Sequence, residues 1–137
     1  MVYTWNSELE TGHTIIDNQH KQLFAVVNAL FDAHRSGKGR QEVERTMDFL
    51  LGYTIKHFAD EEALQAKHNY PEYGAHKLLH AEFKNVAQKL IKEMPCDGSI
   101  DDFIRKVYAT VGEWLVNHIR GDDFRMTAYV RSKEQME

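Results

Sequence analysis

Eight histidines are spread through 137 residues, and several sit at spacings that a helix turns into clusters. His57 and Glu61 are four apart, as are His76 and His80, so each pair points one way on a helical backbone. His118 is followed five residues later by Asp123, and His20 stands in Asp17-Asn18-Gln19-His20-Lys21-Gln22-Leu23-Phe24. Imidazole nitrogens and carboxylate oxygens are transition-metal ligands. Solvated helix faces offer His-x-x-x-Glu pairs by chance, so these residues carry chemistry only if their elements bury them together.

Four segments show alternating steps of four and three, the spacing of a buried helical stripe. From about Asn18 the stripe is His20, Phe24, Val27, Phe31 and His34, flanked by Leu23 and Leu30. Asp17 or Asn18 is the expected cap, and Ser36-Gly37-Lys38-Gly39 the expected end. Residues 40–67 carry Val43, Met47, Leu50, Thr54, His57 and Glu61, with Glu62 one position round and expected to face water. The Pro71 ring breaks the pattern, placing His68 in an exposed turn. Residues 71–93 carry Tyr73, His76, His80, Phe83, Ala87 and Leu90, beside Leu79, Val86 and Ile91. After the loop around Pro95, Cys96 and Gly98, the run Ser99-Ile100-Asp101-Asp102 resembles a capping box. It opens a fourth stripe of Phe103, Ile104, Val107, Val111, Trp114, Leu115 and His118, which Gly121 ends or distorts.

Four amphipathic segments joined by short loops predict an all-α fold, an up-down-up-down four-helix bundle over residues 18–131. Residues 1–17 read as an arm pinned by Trp5, and 132–137 as a polar tail. Glu10 and His13 receive no role, because Gly12 argues against a helix there. In such a bundle the starts of helices one and three lie level with the ends of two and four. His20, His57, Glu61, His76, His80, His118 and Asp123 therefore meet at one end of the core. His34, about 20 Å along the first helix, cannot join them.

The remaining composition excludes several classes. With 42% hydrophobic and 28% charged residues the chain fits one globular domain, and a net charge of −4 with scattered Lys and Arg gives no footprint for nucleic acid. No apolar run approaches the roughly 18 residues that span a membrane, and a cytoplasmic location is expected. Cys96 is the one cysteine, so neither an internal disulfide nor a thiolate metal site can form.

Five imidazoles and two carboxylates exceed what one tetrahedral zinc uses and suit two ions sharing carboxylates, with iron expected and manganese and zinc also compatible. Ferritin-like di-iron sites need Glu-x-x-His twice, and here it occurs only at Glu10–His13. A zinc protease needs His-Glu-x-x-His, but Lys77 follows His76.

The runs Asp17–Phe24, His57–Glu62, Tyr70–His80 and Trp114–Asp123 resemble the bacterial hemerythrins, single-domain form, and the likeness extends from about Trp5 to Tyr129. Phe124-Arg125-Met126-Thr127-Ala128-Tyr129 departs from the family's usual Asp-Lys-x-Tyr continuation. The resemblance implies a non-haem site of two iron ions, carboxylate-bridged with an oxo or hydroxo bridge, and dioxygen as its reversible ligand. By position, His76, His80 and His118 would hold one iron and His20 and His57 the other, with Glu61 and Asp123 bridging. Trp114, Leu115 and Ile119 would wall the oxygen pocket. The function implied is oxygen storage, delivery or transport rather than enzymatic turnover, with an oxygen-consuming enzyme as the kind of recipient. An oxygen or redox sensor, or a peroxidase or nitric-oxide reductase using the same site, is the alternative.

Overall fold

Leu23, Phe24, Val27 and Leu30 lie buried along one face of the first helix, opposite Val43, Met47 and Leu50 of the second. This pairing begins the core of an all-helical bundle. The computed structural model describes residues 3–35, 39–95 and 100–136; the expectations for the His34 side chain, the 36–38 turn, Cys96 and the Ser99 cap lie outside them. The helices are α1 (Thr14–Arg35), α2 (Gly39–Lys67), α3 (Tyr73–Lys92) and α4 (Ile100–His118). A π-helical turn (Ile119–Asp123) carries α4 directly into α5 (Phe124–Gln135), so the last two helices form one long rod. Helix α1 packs on α2 and α4, and α2 on α3 and α5. No helix among the described residues is long and apolar enough to cross a membrane.

Phe58, fully buried, centres the core beneath the histidines. Its ring stacks on His80 at 3.8 Å and meets Phe83 and Trp114 edge-on at 5.8 Å. Burying such a side chain contributes about 3 kcal/mol. The second stripe holds at every position, from Val43 to Glu61. The third holds at His76, His80, Phe83, Ala87 and Leu90, but Val86 is 42% exposed because three helical steps from Phe83 carry it past the edge of the interface.

The helix ends depart from the sequence reading in informative ways. Helix α1 begins at Thr14, ahead of Asn18, and Asp17 is not its cap. The Asp17 carboxylate instead accepts bonds from the Thr11 amide (2.9 Å), the Thr11 hydroxyl (2.7 Å) and the Gly12 amide (3.1 Å), tying the arm to the helix. His13 Nδ1 accepts from the Ile16 amide at 3.5 Å and so sits at the helix start. Helix α2 closes in a Schellman motif: Tyr70 N–H bonds to Gln65 O, Asn69 N–H to Ala66 O, and Asn69 takes φ 55°. That closure keeps His68 on the inward stripe three residues past Gln65. The sequence expectation of an exposed His68 is therefore wrong; it is 6% exposed. Residues 132–135, expected as tail, continue α5, whose Met126 and Val130 pack fully buried against Tyr70.

The arm lies along the bundle. Asn28 clamps Tyr3 by accepting from its amide (2.9 Å) and donating to its carbonyl (2.7 Å), and the Tyr3 ring stacks on Tyr108 at 4.6 Å. Trp5 meets Phe24 edge-on at 5.6 Å.

Candidate metal centre

All seven side chains singled out as ligands converge at one end of the core, and each is at most 3% exposed. Helix α1 supplies His20, α2 His57 and Glu61 one turn apart, α3 His76 and His80 one turn apart, and α4 His118 in its last turn. Asp123 depends on the π turn. On a regular helix a residue five positions after His118 would point about 140° away from it. The wider turn over Ile119–Asp123 brings the carboxylate onto the face that His118 occupies.

The donor atoms fall into two groups that share two members. One atom each from Glu61, His76, His80, His118 and Asp123 lie within 4.8 Å of one another, and so do one each from His20, His57, Glu61 and Asp123. Each carboxylate turns one oxygen toward each group. Glu61 Oε1 lies 3.1 Å from His80 Nε2 and 3.5 Å from His76 Nε2, while Oε2 lies 3.4 Å from His57 Nε2 and 3.6 Å from His20 Nε2. Asp123 Oδ1 lies 3.1 Å from His76 Nε2 and 3.2 Å from His118 Nε2, with Oδ2 2.9 Å from His20 Nε2.

These short distances are not a satisfied hydrogen-bond network. Both oxygens of Glu61, both of Asp123, His57 Nε2 and both nitrogens of His20 make no hydrogen bond of acceptable angle, although all are buried. A buried carboxylate without such partners costs several kcal/mol. The tautomers sharpen the point. His80 Nδ1 donates to Glu62 Oε2 at 2.9 Å and His118 Nδ1 to Asp122 Oδ2 at 2.9 Å, because carboxylates only accept. In the neutral form of both imidazoles their Nε2 atoms, 3.2 Å apart, face each other as lone pairs. Lone pairs and carboxylates aimed into one dry space fit a cation between them.

A family model described as the hemerythrin HHE cation binding domain matches residues 11–130. The chain belongs to the hemerythrin family. A bacteriohemerythrin of Pseudomonas paraeruginosa is 34% identical over 119 residues, 87% of this chain and 75% of that protein. One from Stenotrophomonas maltophilia is 37% identical over 120 residues, with the same coverage. A hemerythrin-like protein of Naegleria gruberi is 36% identical over 123 residues, 90% of this chain and 89% of that protein.

In this hemerythrin-family chain the residues supporting the clustered histidines were the part that sequence reasoning missed. Glu62, expected to face water, holds His80 instead: one residue round from Glu61, its side chain reaches across to α3. Asp122, the residue before Asp123, orients His118 and is itself held by Arg125 at 2.6 Å. Gln19 accepts from His57 Nδ1 at 2.6 Å while donating its own amide to Asp60 at 2.8 Å, so the orientation of the amide is fixed. Such partners set the tautomer and raise the basicity of a ligand imidazole. Periodicity carried no signal for them, because their partners lie on a neighbouring helix or one turn along.

Of the three residues expected to wall a pocket, Leu115 and Ile119 are buried, and Trp114 is half-buried with its ring stacked on His118 at 4.4 Å.

Without a metal the site titrates as a coupled set of charges. Burial alone would pull the His20 and His76 imidazoles down, but Asp123 and Glu61 outweigh it and push both up to about 9. His118 is likewise opposed by burial yet raised to about 10, chiefly by Asp123 and Asp122. Burial would raise Glu61, but His57, His20 and His76 hold it well below its usual range. Asp123 is lowered too, against burial and the nearby Glu61, by His118 and His20. Protons in the metal-free protein thus occupy the place of positive charge.

Proposed function

We propose that this chain holds two iron ions and binds dioxygen reversibly, as a store or delivery vehicle. His76, His80 and His118 would hold one ion and His20 and His57 the other, with Glu61 and Asp123 shared. The observation that carries this reading is that both carboxylates are shared by two donor groups, one with three imidazoles and one with two, each carboxylate turning one oxygen toward each group. A nitrogen-rich donor set with shared carboxylates and no thiolate suits iron. Bound iron would supply reversible coordination of dioxygen, and the half with two imidazoles has the fewer protein donors.

The surrounding residues suit binding better than turnover. Gln19, Glu62 and Asp122 hold the His57, His80 and His118 rings with Nε2 aimed inward. Trp114, Leu115 and Ile119 present apolar surface next to His118 and would exclude the water that promotes irreversible oxidation. The single cysteine, with no internal disulfide possible, suits a reducing compartment such as the cytoplasm.

The test is a metal count with an absorption spectrum of iron-loaded, reduced protein in air and under argon. About two irons per chain and a visible band that appears with dioxygen and vanishes under argon are expected. A single zinc per chain with no such band would overturn the reading.

A further inference from the structure

The supports of the site are uneven. His57, His80 and His118 each have the nitrogen facing away from the cluster tied to a side-chain oxygen. His20 does not: its Nε2 faces Asp123 and Glu61, while its Nδ1 is buried in a residue of zero exposure and meets no hydrogen-bond partner. What fixes this ring is contact with other rings. It lies 4.8 Å from His57 at 70° and 6.3 Å from Trp5 at 41°, and Trp5 is in turn braced by Phe24 and covered by Lys21 at 5.7 Å. Trp5 belongs to the arm, not to the bundle.

We propose that Trp5 is a positioning residue for His20, so that the N-terminal arm controls how firmly the His20/His57 half of the site retains its metal. The inference rests on the two-metal reading above. A ligand imidazole held by a hydrogen bond resists rotation about its side-chain torsions, whereas one held only by packing is free to turn once the packing is removed. The arm is held at a distance from the site by Tyr3, which bonds to Asn28 and donates its hydroxyl to Tyr108 O at 3.2 Å. Tyr3 also fills a notch on α4 that exists because residue 112 is glycine; a Cβ there would fall on the Tyr3 ring. Tyr3 and Gly112 thus fasten the strap, and Trp5 is where the strap touches a ligand.

Three variants of the full chain test this: Trp5→Ala, Trp5→Phe and Gly112→Ala, which pushes out Tyr3 without altering Trp5. Each is loaded with ferrous iron under argon, its metal counted, and release to a chelator followed in time. The phase that His57→Ala alters marks the His20/His57 half. In Trp5→Ala and Gly112→Ala that phase should quicken by about tenfold or more, the scale on which loss of ligand support acts. The other phase should stay at the wild-type rate, and Trp5→Phe should restore most of the retention. Helix content measured by circular dichroism should be unchanged in all three. Two irons leaving every variant at wild-type rates, or both phases quickening equally, would overturn the proposal while leaving the two-metal reading intact. A wild-type protein that takes up a single metal would overturn that reading, and this inference with it.

Discussion

His80 and His118 face each other through their Nε2 atoms at 3.2 Å, each with its Nδ1 already committed to a carboxylate, Glu62 for one and Asp122 for the other. This relationship makes Glu62 part of the site although it is not among the proposed ligands. Glu62→Ala should weaken metal binding by about 10–100-fold, the usual effect of removing a ligand's partner, while Glu61→Ala should abolish paired binding altogether. Competition against a chelator of known affinity measures both. If Glu62→Ala bound metal as tightly as wild type, the hydrogen bond to His80 would have no part in holding the site. Equal metal content in the two variants would show that the shared carboxylate is not Glu61.

Leu115 is 4% exposed and lies three residues before His118 on α4. Leu115→Ala should destabilise the fold by about 2–5 kcal/mol through lost burial and the cavity left behind. If the side chain also keeps water from the site, the oxygen-dependent spectrum of the iron-loaded variant should decay faster than in wild type. Thermal unfolding measures the first effect and the decay of the visible band under air the second. A destabilised variant with unchanged decay would assign Leu115 to packing alone.

The stripes at four-three spacing were legible because burial on a helix face is a periodic property, and His57, Glu61, His76 and His80 could be placed from that period alone. Two features were not. Asp123 lies off the regular helical face of His118, and only the π turn brings it in, which periodicity does not show. His68 follows the helix break marked by Pro71, yet the Schellman closure through Asn69 keeps it inside. Glu62, Asp122 and Gln19 escaped for a different reason, since their partners sit on a neighbouring helix or one turn along. A pattern within one strip of sequence carries no information about which way a flexible polar side chain reaches.

The junction between arm and bundle depends on Gly12, whose φ of 89° lies in the left-handed region and whose Cα faces the Arg131 guanidinium. An alanine at this position would have to adopt an unfavourable backbone conformation, at about 1–2 kcal/mol, and displace Arg131 from its bond to Thr11 O. Gly12→Ala should therefore lower Tm by several degrees with full metal content retained. Asp17→Ala, which removes the acceptor of three hydrogen bonds to Thr11 and Gly12, should lower it further. Unchanged melting in both variants would mean that this junction adds nothing to the stability of the fold.

Metal removal should make stability depend on pH in a direction set by the charges at the centre. His20 and His76 titrate near 9 and His118 near 10 in the folded protein, above an ordinary value of 6.5. A group raised on folding stabilises fully below its unfolded pKa and loses that contribution as pH climbs through its folded one. Glu61 and Asp123 are held below their ordinary 4.5 and 3.8, so their contribution is present above those values and lost as pH falls. Metal-free protein should accordingly melt highest between about pH 4.5 and 6.5 and progressively lower toward pH 10. Bound metal replaces the protons, so the gap in Tm between loaded and metal-free protein should widen over that upper range. Uptake of metal near pH 8 should also acidify a weakly buffered solution, because imidazoles must shed protons to become ligands. Melting curves of both forms across pH, with a pH electrode during loading, check the two outcomes together. A metal-free Tm that stays level from pH 6.5 to 10 would show that the buried imidazoles are not charged in the absence of metal.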